Sequence, residues 1–126
     1  MGGTDRSPPT RSPLAAAAVD HVLLSYLYLD EGDLDGYGSL LAEDARLIRP
    51  GLPNVVGRTR VLAELARVAG PPSRHRLRRV TAHEDYVLAE GKLDDGGHDI
   101  EFVDIVTFSA DGLLRGHRRY HNPAQP

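Results

Sequence analysis

The chain has 126 residues, no cysteine and a formal net charge of −3. That length suits one domain with a sizeable core, and the absence of thiols excludes a disulfide framework, a thiolate metal site and a cysteine nucleophile. The mildly negative balance gives no global drive toward nucleic acid or a membrane surface, and Lys92 is the only lysine, so Schiff-base chemistry has a single candidate.

Met1–Pro13 carries prolines and glycines but no large apolar residue after Met1, so residues 1–13 are expected to be a disordered tail. No apolar run approaches the roughly 20 residues that span a bilayer, and the start lacks a signal-peptide pattern. A soluble cytoplasmic protein is the expectation. The folded domain is expected over residues 14–122, with 123–126 as a second short tail.

A helix is predicted from about Leu14 to Asp30. Val19, Val22, Leu23, Tyr26, Leu27 and Leu29 fall within one broad arc at helical spacing, and Asp30 lies near its centre. The helix therefore turns Tyr26 and Asp30 toward the core. Asp33 is a candidate N-cap for a short helix, Leu34–Ala42, with Leu40 and Leu41 turned inward. A strand is expected at Ala45–Arg49, stopped by Pro50-Gly51, with Leu52–Val56 as a loop or small edge strand. Gly57–Ala69 reads as a third amphipathic helix using Val61, Leu62, Leu65 and Val68.

Beyond it the pattern is β: Arg74–Glu84, Tyr86–Leu93, Ile100–Ser109 and Leu113–His121. The last two form a hairpin about Ser109-Ala110-Asp111-Gly112, where the Asp-Gly pair supplies the turn. Asp94-Asp95-Gly96-Gly97 supplies another. Helices first and strands afterwards mean an α+β domain, with three N-terminal helices packed on one face of a strongly curved, mainly antiparallel sheet.

The hairpin holds the chemistry. Alternation puts Phe102, Asp104, Val106 and Phe108 on one face, so one carboxylate stands in a row of large apolar side chains. Buried there it needs a partner, a proton or a polar cavity. The neighbouring strand presents His117, Arg119 and His121 on one face. Burial raises the Asp104 pKa and a close Arg119 lowers it; the basic strand beside it favours the ionised form. Val103 and Ile105 point the other way, and since no helix remains to cover them, a second copy of the chain is expected there, giving a homodimer.

His117 and His121 lie about 13 Å apart along a strand, too far to share one ion, and no metal site is expected. The Arg74–Arg79 cluster lacks interleaved aromatics, so nucleic-acid binding is not expected either. A glycine loop of the phosphate-cradling kind is absent.

The stretches YLYLDEGDLDGYGSLLAEDARLIRPG, VVGRTRVLAEL and FVDIVTFSADGLLRGHRRY, in that order, resemble the nuclear-transport-factor-2-like superfamily over about Leu14–Asn122. Ketosteroid isomerase, scytalone dehydratase, limonene epoxide hydrolase and small polyketide cyclases belong to it. The resemblance implies a cone-shaped domain with a cavity and cofactor-independent chemistry. Asp104 falls on the isomerase's protonated acid, which donates a hydrogen bond to the reacting oxygen. The isomerase base falls near Arg49, which cannot abstract a proton, and its tyrosine falls near Ser25, one residue from Tyr26. Asp30 and His75 resemble the aspartate and histidine of scytalone dehydratase, although Leu29 replaces the tyrosine before the aspartate. Asp104, Arg119 and Asp30 supply the residue types of the epoxide hydrolase set without a matching spacing.

The reading that follows is a cofactor-independent enzyme acting on a hydrophobic, carbonyl-bearing substrate by cyclisation, dehydration or isomerisation. Asp104 is the expected acid/base or enolate donor, and His75 with Asp30 the second proton-handling pair. Tyr26, Arg49, His117, Arg119 and His121 are expected to hold the substrate. Two alternatives stand beside it: a non-catalytic ligand-binding or dimerisation module, and an epoxide hydrolase or epoxide-opening cyclase.

Overall fold

Ser12 starts the first helix: its side-chain oxygen accepts from the Ala15 N–H at 3.1 Å, and Pro13 occupies the first helical position. The computed structural model describes residues 12–68, 73–94 and 96–122. Helix α1 runs Pro13–Glu31 and ends at Gly32, whose φ of 72° is the left-handed conformation that lets its N–H bond back to Leu29. Pro13, expected in the tail, belongs to the helix; residues 1–11 and 123–126 of the two expected tails lie outside the described residues.

The buried stripe of α1 is Ala15, Ala18, Val19, Val22, Ser25 and Tyr26. This corrects the expected arc, because Leu23 and Leu27 are exposed. Small residues decide the rotation: with Ala18 and Ser25 on the inner side, the helix backbone approaches the sheet more closely than the leucine side would allow.

Helix α2 spans only Leu34–Ser39, capped by Asp33, whose Oδ1 accepts from the Gly36 N–H at 2.8 Å. It was expected to reach Ala42. Instead Leu41 already begins strand β1, Leu41–Ile48, and the Leu40 carbonyl accepts from the Leu114 N–H at 2.8 Å. Strand pairing takes over where Gly36 and Gly38 leave the helix weak. Strand β2 is Val55–Val56. Helix α3, Arg58–Arg67, buries Val61 and Leu65; Gly57 is its cap rather than its first residue, and Ala69 lies outside the described residues.

Strands β3 (Arg74–Ala82), β4 (Tyr86–Asp94), β5 (Asp99–Phe108) and β6 (Leu114–His121) complete one six-stranded sheet in the order β2-β1-β6-β5-β4-β3. Its pairs are antiparallel except β1 with β6, which is parallel, so the sheet is mixed. Helix α1 contacts β3, β4 and β6, and α3 contacts β1 and β2. The β5–β6 turn closes as expected, with Gly112 at φ 78° and its N–H on the Ser109 carbonyl at 2.9 Å. His21 of α1 pins this turn through a 2.6 Å hydrogen bond from Nδ1 to the Gly112 carbonyl. Among the described residues no helix is long and apolar enough to cross a membrane.

Candidate active site

Asp104 of β5 lies directly opposite Arg119 of β6, with Val106 opposite His117 and Phe102 opposite His121. Strand alternation carries Phe102, Asp104 and Val106 to the buried face, and none is more than 2% exposed. A lone carboxylate there would be costly. Arg119 answers with a two-pronged contact, Nε–H to Oδ1 and Nη2–H to Oδ2, each 2.8 Å. Tyr26, one turn before the end of α1, donates its hydroxyl to Oδ2 at 2.6 Å. His117 Nε2 stands 2.9 Å from the same oxygen, off the line a hydrogen bond requires.

Burial on its own pushes the Asp104 carboxyl up, but the His117 imidazole and the Arg119 guanidinium overcome it and hold the group well below the usual carboxylate range. Asp104 is therefore an ionised acceptor ringed by donors, in keeping with the expectation from the basic strand. A hydrogen bond donated by a protonated Asp104 to an enolate, one of the two roles the sequence suggested, does not fit this arrangement. Tyr26 is raised far above its ordinary value by burial and by the Asp104 charge, which keeps it a phenol.

His75 of β3 meets Asp30 at the end of α1. Its Nδ1 lies 2.5 Å from Asp30 Oδ1, and its backbone N–H donates to Oδ2 at 2.9 Å. On the other side of the ring, Arg119 Nη2 stands 2.9 Å from Nε2. A guanidinium can only donate, so Nε2 is the acceptor and the ring proton sits on Nδ1, facing Asp30. Burial and then the Arg119 charge outweigh Asp30 and bring the His75 pKa down to about 4. The result is a continuous chain, Asp30–His75–Arg119–Asp104–Tyr26, half-buried at Asp30 and His75 and buried from Arg119 to Tyr26. Its outer end reaches solvent, because Asp30 lines a surface groove of about 550 Å³ together with Leu27, Ser73 and Arg74.

Aromatic rings pack around that chain. The Tyr26 ring lies 4.8 Å from His75, Phe102 meets His75 edge-on at 5.5 Å, and the Arg119 guanidinium carbon sits 4.4 Å over Phe102. Neither Phe102 as the platform for Arg119 nor the fully buried Tyr37 was assigned a role from sequence. The Tyr37 hydroxyl is pushed up to about 12 by burial, partly offset by Arg49. The signal for Tyr37 was its place in GDLDGYGS, a stretch that reads equally well as a turn.

Residues 24–117 match the family model of the SnoaL-like domain. The chain belongs to that family. Structures similar to this SnoaL-like domain include a nuclear-transport-factor-2-like protein of unknown function from Burkholderia xenovorans, with 19% identity, 91% of each chain covered and a TM-score of 0.77. A SnoaL-like polyketide cyclase candidate from Jannaschia sp. has 21% identity, 94% of this chain and 100% of its own covered, and a TM-score of 0.75. An epoxide hydrolase of the limonene-epoxide-hydrolase-like type from M. tuberculosis has 24% identity, 87% and 86% covered, and a TM-score of 0.71. At these identities the likeness establishes the fold alone. A search of curated proteins gives no significant match.

The SnoaL-like domain turns its remaining candidates to the same interior. Arg49 follows β1, whose Ile48 pairs with Arg118, so it emerges beside Arg119; it is half-buried. Among the described residues no hydrogen bond or ion pair engages its side chain. His121 is half-buried, and its Nε2 has no hydrogen-bond partner among the described residues. The arginines around His75 are exposed, and Arg76 and Arg79 pair with Asp94 and Glu90 across β4. That strand presents its arginines to solvent and turns His75 inward together with the apolar Leu77, Val80 and Ala82.

Proposed function

We propose that this SnoaL-like domain is a cofactor-independent acid/base enzyme acting on a small hydrophobic carbonyl compound, in a cyclisation, dehydration or isomerisation that passes through an enol or enolate. One observation carries this reading: the chain Asp30–His75–Arg119–Asp104, in which a His–carboxylate pair and a fixed guanidinium stand side by side. Arg119 donates through Nη1 to the substrate carbonyl oxygen and stabilises the negative charge that develops there. His75, freed at Nε2 when substrate displaces the Arg119 Nη2 contact, takes the proton from the adjacent carbon, and Asp30 holds the imidazolium. The carbon–hydrogen electron pair becomes the enolate double bond. The same proton returns to another carbon in an isomerisation, or to a departing hydroxyl in a dehydration.

Asp104 and Tyr26 act through Arg119 by fixing its position, and Arg49, His117 and His121 hold the rest of the substrate. The domain works as a homodimer joined over the outer face of β5, where Val103 and Ile105 stand half-buried.

The test is exchange of the protons beside a carbonyl, followed by proton NMR in heavy water with cyclic ketones such as 2-tetralone. Exchange faster than in buffer, and lost in His75→Asn, supports the assignment. Exchange no faster than in buffer across the panel returns the protein to the non-catalytic module, a reading favoured by the close packing of Tyr26 against Phe102, whose ring centroids are 6.1 Å apart. Epoxide opening is the second reading. Arg119 touches Asp104 as that chemistry wants, but His75 stands between Arg119 and Asp30. Incorporation of labelled oxygen from water into a diol product identifies it.

A further inference from the structure

We propose that the substrate is an acid, and that Arg49, the N–H of Arg119 Nη1 that is not given to the reacting carbonyl, and Nε2 of His121 form the subsite that holds its carboxylate. The inference rests on the reading of this interior as the substrate site, and it narrows the substrate class. Arg119 carries five N–H groups. Three are spent, on Asp104 Oδ1, Asp104 Oδ2 and His75 Nε2. The remaining pair on Nη1 is buried with no acceptor among the described residues, on a side chain that is 1% exposed. Buried donors without partners are rare, and each calls for an explanation, a bound ion or a catalytic role among them.

Two further groups share the face of the sheet that carries Arg119. His121 stands opposite Phe102, the ring over which Arg119 lies, and its own buried Nε2 has no hydrogen-bond partner among the described residues. Arg49 leaves the end of β1 alongside Arg119, and no carboxylate among the described residues neutralises it. Burial lowers the pKa of both His121 and Arg49; the Arg119 charge lowers both further, and the Arg49 charge adds to the effect on His121. Asp104 and Arg119 cancel, and Asp30 sits at the groove end of the chain, which leaves Arg49 as the positive charge without an ion-pair partner among the described residues, with several unspent donors around it. That matches a group with one negative charge and two acceptor oxygens in a plane, the shape an arginine fork recognises. A dianionic phosphate would leave a charge unmatched.

Binding of simple probes tests this without any turnover. Benzoate and benzamide share shape and differ in charge; calorimetry and proton NMR of the His121 ring report on each. Benzoate should bind saturably, benzamide at least about tenfold more weakly, as expected when a charge-assisted pair is lost. Arg49→Gln should erase the preference, Arg49→Lys should restore part of it, and inorganic phosphate should compete no better than chloride. His75→Asn should leave benzoate binding intact, so failure of the catalytic reading and failure of this one are separable. Equal binding of the two probes, an unchanged preference in Arg49→Gln, or no saturable benzoate binding at millimolar concentration each overturns the proposal. Should Arg49→Gln not fold, the lysine variant and the benzoate–benzamide comparison decide alone.

Discussion

Asp104 shows how a charge survives at full burial. Its carboxylate is 0% exposed, yet Arg119, Tyr26 and His117 surround it closely enough to keep it ionised. Removing one partner of such a pair leaves the other charge unpaired, which costs about 3–5 kcal/mol. Asp104→Asn is expected to lose stability on that scale in urea denaturation, and a loss below about 1 kcal/mol would show the pair to be far weaker than its burial implies. His75 behaves in the opposite sense. As its folded pKa of about 4 lies below the unfolded value near 6.5, the unfolded chain binds the extra proton between those limits. Stability through His75 is complete above pH 6.5 and falls as pH drops toward 4, by on the order of 3 kcal/mol at most. Comparing denaturation midpoints at pH 7 and pH 4.5, the parent should lose more than His75→Asn.

At the scale of elements, register sets the site. Strand β3 brings His75 to Arg119, and its pairing with β4 depends on Gly91, opposite Leu77, where a bulge at Arg78 interrupts the ladder. A Cβ added to Gly91 would sit 2.0 Å from the Arg76 carbonyl oxygen, which is backbone and cannot swing aside. Gly91→Ala is therefore expected to cost stability on the scale of overpacking, about 1–3 kcal/mol or more. It should also displace His75 from Arg119, seen as a rise in the His75 titration midpoint by NMR. An unmoved midpoint in a folded variant would uncouple β3 position from the site.

The same scale explains what was legible in the chain. Asp104 could be read because strand alternation is strict and a single acid stood in an apolar row; the hairpin turn put both Arg119 and His117 on the neighbouring strand as its possible partners. Asp30 and His75 are 45 residues apart, and only the resemblance joined them. The inward face of α1 was misjudged because hydrophobicity pointed to the leucines, whereas close approach to the sheet favours alanine and serine. The early start of β1 depends on Leu114, far along the chain, which no local pattern encodes.

For the whole molecule, the outer face of β5 bears on assembly. Val103 and Ile105 remain partly exposed in the single chain, and Tyr120 on the neighbouring strand is 47% exposed. A two-fold dimer over this face should bury about 1,200–2,000 Å² in total. Light scattering is expected to give twice the chain mass at tens of micromolar, and Val103→Asp to halve it. A parent protein that stays monomeric there rules out the sheet-to-sheet dimer.

The parallel pairing of β1 with β6 has a consequence in time. Strand β6 is the last described element, yet it lies between β1 and β5 in the sheet and carries His117 and Arg119. Until it inserts, the sheet is split in two, Asp104 lacks its guanidinium, and Tyr26 must reach a partner 78 residues away. Contacts of such long range close slowly, because chain entropy is lost before they form. A chain in which β6 has not yet inserted thus holds neither a continuous sheet nor a neutralised interior. Insertion of β6 joins the two parts of the sheet and brings Arg119 to Asp104 at once.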